Sequence, residues 1–115
     1  MIRVALVEDD EQYRKSFLAY LKRYEEQSGQ HFNVSVFTDG DEILEDYQAD
    51  YDLILMDIAM RVMDGMTAAE KIRELDKEAV IIFITNTPQF VMQGYALDAL
   101  DYVLKPVNYF LILPT

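Results

Sequence analysis

Five short apolar segments, separated by segments with helical patterning, constrain the fold more than any other feature of the sequence. The apolar segments are rich in β-branched residues, which indicates buried strands. They are residues 2–7, 32–37, 53–56, 80–84 and 100–104. The clearest helical stripe, which includes Tyr13, Phe17 and Tyr24, lies between the first two. This alternation predicts an α/β fold with right-handed βαβ units, one parallel sheet and helices on both faces.

Polar residues mark the predicted ends of these elements. Either Asp9 or Asp10 is placed to cap the first helix, and Asp64 is placed to cap the third. The Thr38-Asp39-Gly40 sequence predicts a turn and a helix cap, and a short helix is predicted to carry Ile43, Leu44 and Tyr47. A fourth helix is predicted from about Pro88, because proline suits a first helical turn.

Composition excludes several classes of function. The 115 residues suit a single domain, and the net charge is −11, from 21 acidic and 10 basic side chains. An acidic surface repels phosphate backbones, so we expect no direct binding of nucleic acid. The absence of cysteine excludes disulfides and thiolate metal sites. Without a signal peptide or an apolar run of membrane-spanning length, we expect a cytoplasmic protein that does not bind membranes.

Polar residues with complementary chemistry follow four of the predicted strands. Glu8 and Asp9 follow the first strand, Asp57 follows the third, Thr85 the fourth and Lys105 the fifth. The carboxyl ends of parallel strands meet at one edge of a sheet, where ligands of open α/β folds bind. Carboxylates are suited to Mg²⁺, while a hydroxyl and an ammonium group can hold phosphoryl oxygens. The pattern therefore predicts a site for a metal ion and a phosphoryl group.

Each of these residues also has a purely structural interpretation. The acids after the first strand could cap a helix and favour its dipole, and Asp57 could be a turn residue. Thr85 and Lys105 could be ordinary residues at strand ends. However, a carboxylate directly after an apolar strand is poorly solvated unless it is paired, and Pro106 fixes the backbone direction after Lys105. The combination favours the functional interpretation.

The chain resembles the response-regulator receiver domains of two-component signalling. The matching motifs are Val7-Glu8-Asp9-Asp10, Leu55-Met56-Asp57-Ile58, Met63-Asp64-Gly65, Ile84-Thr85 and Asp101-Tyr102-Val103-Leu104-Lys105-Pro106. Residues 95–102 are most similar to the receivers of LytTR-type transcriptional regulators. The resemblance implies a doubly wound, flavodoxin-like, five-stranded parallel sheet with strand order 2-1-3-4-5.

The resemblance also implies a magnesium site. Asp9 would be a direct ligand and Glu8 would act through a water molecule. Asp57 and the backbone carbonyl of Ala59 would complete the ligands that the protein supplies. One departure lies nearby, since Arg61 occupies a position where the family usually has proline. We expect Arg61 to loosen the loop after Asp57.

The same resemblance implies a signalling role in which Asp57 accepts a phosphoryl group from a sensor histidine kinase or a small acyl phosphate. Lys105 would pair with the phosphoryl group, Thr85 would donate a hydrogen bond to it, and Tyr102 would turn inward as an aromatic switch. Such a domain is no enzyme beyond catalysing its own phosphorylation and dephosphorylation. Its output would be transcription, through a DNA-binding domain absent from this sequence.

Three other functions are compatible with parts of the pattern. An inert pseudo-receiver would keep the site as a relic and act only as a dimerising interaction module. A haloacid dehalogenase-type phosphatase also uses an aspartate at a strand end, but it needs a second aspartate where this chain has Ala59. A flavodoxin needs a phosphate-binding loop after the first strand, where Glu8, Asp9 and Asp10 would repel phosphate.

The sequence after the fifth strand predicts self-association. We assign residues 1–107 to the receiver domain and residues 108–115 to a short, non-matching tail in place of the fifth helix, so the last helix is truncated. Pro114 limits any helix there. Apolar sheet surface left uncovered usually binds a partner, so we expect a dimer. Light scattering at micromolar concentration checks this, and a monodisperse monomer would contradict it.

Overall fold

A five-stranded parallel sheet forms the centre of the part of the chain that the computed structural model describes, residues 1–57, 62–85 and 101–104. Its strands are β1 (Ile2–Val7), β2 (Phe32–Phe37), β3 (Leu53–Asp57), β4 (Val80–Thr85) and β5 (Asp101–Leu104). The strand order is β2-β1-β3-β4-β5, and every neighbouring pair is parallel. The predicted α/β fold and strand order are confirmed.

Three helices connect these strands within the described residues: α1 (Glu11–Ser28), α2 (Gly40–Leu44) and α3 (Gly65–Leu75). Asp10 begins α1, because its carboxylate accepts hydrogen bonds from the amides of Gln12 and Tyr13, at 2.8 and 3.2 Å. Gly29 ends α1 in the left-handed conformation, with φ of 76°, which glycine adopts without steric cost. Local sequence signals therefore set both ends of this helix.

The helices cover both faces of the sheet. On one face, α1 inserts Phe17 and Leu21 among apolar strand residues. On the other face, α2 contributes Ile43 and α3 contributes Ile72. The strand residues of the two cores alternate along the chain: Val4, Leu6, Leu55, Ile82 and Ile84 lie on the α1 side, and Ala5, Val7, Ile54, Met56, Ile81 and Phe83 lie on the other. Burying each large apolar side chain contributes about 1.5–3 kcal/mol, so this double coverage stabilises the central strands.

The second helix ends earlier than the sequence predicts. It spans only Gly40–Leu44, and Tyr47 lies beyond it in a segment where Asp46 and Ala49 have positive φ values of 60° and 55°. The aromatic body of Tyr47 still packs against the core. The spacing of Tyr47 from Ile43 therefore indicates that both residues contact the same core, and it does not show that the helix continues to Tyr47. An apolar residue that follows a helix can reach the core that the helix itself contacts.

Several predicted features lie outside the described residues. They are the helix from about Pro88, the Lys105-Pro106 pair, the tail at residues 108–115 and the truncated last helix. The domain boundary at residue 107 stays a prediction. No helix within residues 1–57 and 62–85 combines the length and the apolar character needed to cross a membrane.

A hydrogen bond between the half-buried Tyr47 and the buried Asp76 fixes the C-terminal end of α3. The Asp76 carboxylate is only 7% exposed and accepts hydrogen bonds from the Tyr47 hydroxyl at 2.7 Å and from the amides of Glu78 and Ala79 at 3.0 and 3.3 Å. Burial raises the pKa of Asp76, but these hydrogen bonds outweigh it and lower the pKa below the ordinary 3.8. Burial and the bond to Asp76 raise the pKa of Tyr47.

Replacing Asp76 with asparagine is expected to lower the free energy of unfolding by about 1–2 kcal/mol at pH 7, because one acceptor oxygen is lost and the other no longer carries charge. A carboxylate with a depressed folded-state pKa stabilises the protein above its unfolded pKa and loses that effect as the pH falls through the folded value. The difference between wild type and Asp76→Asn should therefore shrink as the pH falls below 3.8. Urea denaturation followed by circular dichroism checks this, and a constant difference would contradict it.

Candidate functional site

The strand register brings the predicted site residues to one edge of the sheet. Val7, the last residue of β1, lies beside Met56 of β3, so the chain reaches Glu8 next to the end of β3. Asp57 of β3 lies beside Ile84 of β4, and Thr85 lies beside Leu104 of β5. All four strands are parallel and therefore end on the same side.

Three carboxylates converge at this edge. Glu8, Asp9 and Asp57 each place a carboxylate oxygen within 4.8 Å of the oxygens of the other two. Glu8 is 0% exposed and Asp57 is 3% exposed, whereas Asp9 is open to solvent. The structure thus brings together the three acids that the sequence assigned to metal binding.

Hydrogen bonds to neighbouring elements hold Glu8 in position. Its amide donates to the carbonyl of Phe37 at 3.0 Å, and its own carbonyl accepts the Arg14 guanidinium of α1 at 2.9 Å. Oε2 of Glu8 accepts the Asp10 amide at 3.2 Å. Since Asp10 caps α1, the structural interpretation of these acids holds for Asp10, and the metal-binding interpretation suits Glu8 and Asp9.

The donor set fits magnesium. Carboxylate oxygens from two separate segments meet at one point, and Mg²⁺ favours a few carboxylates together with retained waters. Close carboxylates repel each other when all are ionised, and a bound dication offsets that repulsion. A cleft of about 510 Å³ shares Asp9 with the cluster and is lined further by Asp10, Thr38, Asp39, Asp41, Glu42 and Val62. It gives space for the waters that Mg²⁺ retains.

Asp39 belongs to this site, although its Asp-Gly sequence predicts only a turn and a cap. It is 7% exposed, and it makes no side-chain capping bond to α2. Its carboxylate oxygens instead accept the amides of Val62 and Met63 at 2.9 and 2.7 Å. Burial raises the pKa of Asp39, but the amides of Val62 and Met63, with smaller contributions from those of Asp41 and Gly40, lower the pKa below its ordinary value. The carboxylate therefore stays ionised at neutral pH.

Gly65 is a second residue whose role depends on the tertiary structure. A methyl group placed on Gly65 would collide with the carbonyl oxygen of Asp57 and lie 2.9 Å from the side chain of Met56. The first residue of α3 therefore packs directly on the end of β3, and only glycine leaves room for this contact. In the sequence, the Met63-Asp64-Gly65 motif marks the position of this glycine.

The remaining predicted site residues are only partly described. The backbone of Thr85 ends β4, and Tyr102 lies in β5 beside Phe83. Ala59, Arg61 and Lys105 lie outside the described residues. Their predicted roles therefore stay predictions.

Comparison with known proteins identifies the family. The family model described as response regulator receiver domain matches residues 4–113. The chain belongs to this family. It is thus a receiver domain of a two-component response regulator, and its role is in signalling. Membership decides against both the haloacid dehalogenase-type phosphatase and the flavodoxin.

Individual relatives support the same assignment. The chain is 37% identical over 103 residues to the sensory transduction protein LytR of Staphylococcus haemolyticus, with 88% of this chain and 39% of LytR covered. The BeF3-activated DrrB receiver domain superposes with a TM-score of 0.83 at 25% identity, covering 98% of this chain and 92% of DrrB. Chemotaxis protein CheY4 of Vibrio cholerae gives 0.79 at 25% identity, covering 95% and 90%. Similarity to LytR confirms the predicted LytTR-type resemblance, and the chain spans well under half of LytR.

Magnesium is expected to stabilise the folded protein through Asp57. At a Mg²⁺ concentration of 100 times the dissociation constant, linkage predicts about 2.7 kcal/mol of stabilisation for wild type. Asp57→Asn should lose most of this gain, because a neutral amide is a weaker ligand for Mg²⁺. Asp41→Asn, an exposed acid in the same cleft, should keep it. Thermal unfolding with EDTA and with Mg²⁺ checks this, and equal stabilisation of all three proteins would contradict it.

Proposed function

We propose that this chain is a phospho-accepting receiver in which Asp57 takes a phosphoryl group from the phosphohistidine of a sensor histidine kinase in a magnesium-dependent reaction. Membership of the receiver family supports the reaction class. The observation that carries the proposal is the convergence of carboxylate oxygens from Glu8, Asp9 and Asp57 within 4.8 Å at the carboxyl edge of the sheet.

The transfer requires little covalent chemistry from the protein. A carboxylate oxygen of Asp57 forms a bond to phosphorus while the bond from phosphorus to the imidazole nitrogen breaks. The imidazole leaves with the bonding electron pair and takes a proton from solvent. Asp9, Asp57 and the Ala59 carbonyl would hold Mg²⁺ directly and Glu8 would hold it through a water molecule, and the ion would neutralise charge on the phosphoryl oxygens.

The protein's own residues then orient the group. Lys105 pairs with the phosphoryl oxygens, and the Thr85 hydroxyl donates a hydrogen bond to them. The placement of Thr85 at the end of β4, in register with the residue before Lys105, supports these roles. Asp57 ends the neighbouring strand at the same edge. Asp57 and Thr85 therefore end neighbouring strands at one edge of the sheet, which supports their joint action on one phosphoryl group.

The new phosphoryl charge acts as a switch. It favours one of two arrangements of Thr85 and Tyr102, and the altered face near β4 and β5 passes the signal to a partner. The partner in our proposal is a DNA-binding domain outside this chain, and the similarity to LytTR-type transcriptional regulators supports this choice. A cytoplasmic location, self-association and the absence of direct nucleic-acid binding belong to the same proposal.

Incubation with acetyl phosphate and Mg²⁺, followed by intact mass measurement, tests the proposal. We expect one phosphoryl adduct on wild type and none when EDTA replaces Mg²⁺. Asp57→Asn should give no adduct because the accepting oxygen is lost.

Asp41→Asn is the matched control, since Asp41 is an exposed acid of the same cleft that lies outside the three-carboxylate cluster. It should form the adduct as wild type does. The proposal would be contradicted if the folded wild-type protein bound Mg²⁺ but formed no adduct. That result would favour the inert interaction module. An adduct on Asp57→Asn would place the acceptor elsewhere.

A further inference from the structure

The described residues on either side of positions 58–61 are held by tertiary contacts. Before these positions, Asp57 is the last residue of β3 and packs against Gly65, where α3 begins. After them, the amides of Val62 and Met63 donate to the two carboxylate oxygens of Asp39. These contacts join three elements that are distant in sequence: β3, the start of α2 and the start of α3.

The contact with Val62 and Met63 is closely packed as well as polar. Gly40, the first residue of α2, lies so close to these residues that a methyl group on it would be 2.6 Å from the Met63 carbonyl oxygen and 3.0 Å from the Ala68 side chain. Asp39 itself is 7% exposed. The start of α2 therefore holds Met63 by direct contact of backbone with backbone, and the carboxylate adds two short hydrogen bonds.

Asp39 lines the same cleft as Asp9, Asp10, Asp41 and Glu42. A cap for α2 is an insufficient explanation for an aspartate at this position, because its side chain makes no capping hydrogen bond and the amides of Asp41 and Gly40 lower its pKa less than those of Val62 and Met63 do. Its two carboxylate oxygens accept the amides of Val62 and Met63, which assigns the side chain to holding these two residues.

We propose that Asp39 is a positioning residue for magnesium binding: by holding Val62 and Met63, it fixes the approach to α3, whose first residue, Gly65, packs on the carbonyl of Asp57. This inference rests on the proposed function, in which Asp57 is a metal ligand and phosphoryl acceptor. Groups that orient metal ligands without touching the metal change affinity strongly, because a ligand in the wrong place must be moved before it binds.

The test compares Asp39→Asn and Asp39→Ala with wild type by calorimetric titration with Mg²⁺. Asparagine keeps one acceptor oxygen and alanine keeps none, so we expect affinity to fall in the order wild type, Asp39→Asn, Asp39→Ala. The alanine variant should bind about tenfold more weakly, the low end of the effect seen when outer groups around a metal are removed. Amide hydrogen exchange at Val62 and Met63, measured by NMR without metal, should accelerate in the same order.

Two control variants separate positioning from general effects. Asp76→Asn is matched for stability: Asp76 is also 7% exposed and also accepts two backbone amides, but it follows the opposite end of α3. Asp41→Asn is matched for charge, because it removes one acid from the same cleft without touching Val62 or Met63. Both controls should bind Mg²⁺ within about twofold of wild type.

Adduct formation with acetyl phosphate gives a third measurement. At low Mg²⁺ concentration, the Asp39 variants should form the adduct more slowly than wild type. When Mg²⁺ saturates the site, their rates of adduct formation should return to near the wild-type rate. Circular dichroism confirms folding, and Asp39→Asn carries the test if Asp39→Ala fails to fold. The inference would be overturned if the folded Asp39 variants bound Mg²⁺ with wild-type affinity, or if Asp41→Asn weakened binding equally. In either case, normal adduct formation by the wild-type protein would leave the proposed function standing. A wild-type protein that binds no Mg²⁺ would overturn both.

Discussion

The parallel pairing of β1 with β3 is the constraint on which the rest of the site depends. Its register places Val7 beside Met56, and the next residues along each strand, Glu8 and Asp57, therefore meet. Two buried carboxylates this close repel each other when both are ionised, which opposes folding. The backbone ladder and the apolar cores on both faces of the sheet supply the free energy that holds them there.

Around this fixed centre, the loops are held by side chains because they lack a regular backbone ladder. Buried backbone amides need acceptors, and a carboxylate is a strong one. Asp10 accepts amides at the start of α1, Asp64 accepts the amide of Thr67 at the start of α3, and Asp76 accepts amides after α3 ends. Several acids thus serve local structure, while Glu8, Asp9 and Asp57 form the candidate metal site.

Short-range patterns predicted the elements well, because the information for them is local. Each strand of the sheet coincides with an apolar run, and Asp10, Gly29 and Asp64 act as the helix signals that their residue types favour. The length of α2 could not be predicted in the same way. Tyr47 has helical spacing, but its position is set by a hydrogen bond to Asp76, 29 residues away in the sequence.

The sequence by itself determined the α/β fold, the order of its elements and the acids of the site, because residue type and position after an apolar strand are local properties. Glu8, Asp9 and Asp57 could be named from that pattern alone. Only the tertiary structure decided that Asp39 holds Val62 and Met63 and that Gly65 must lack a side chain. These roles come from contacts between distant segments, and such contacts exist only once the sheet register and the packing of α2 and α3 have brought those backbones together.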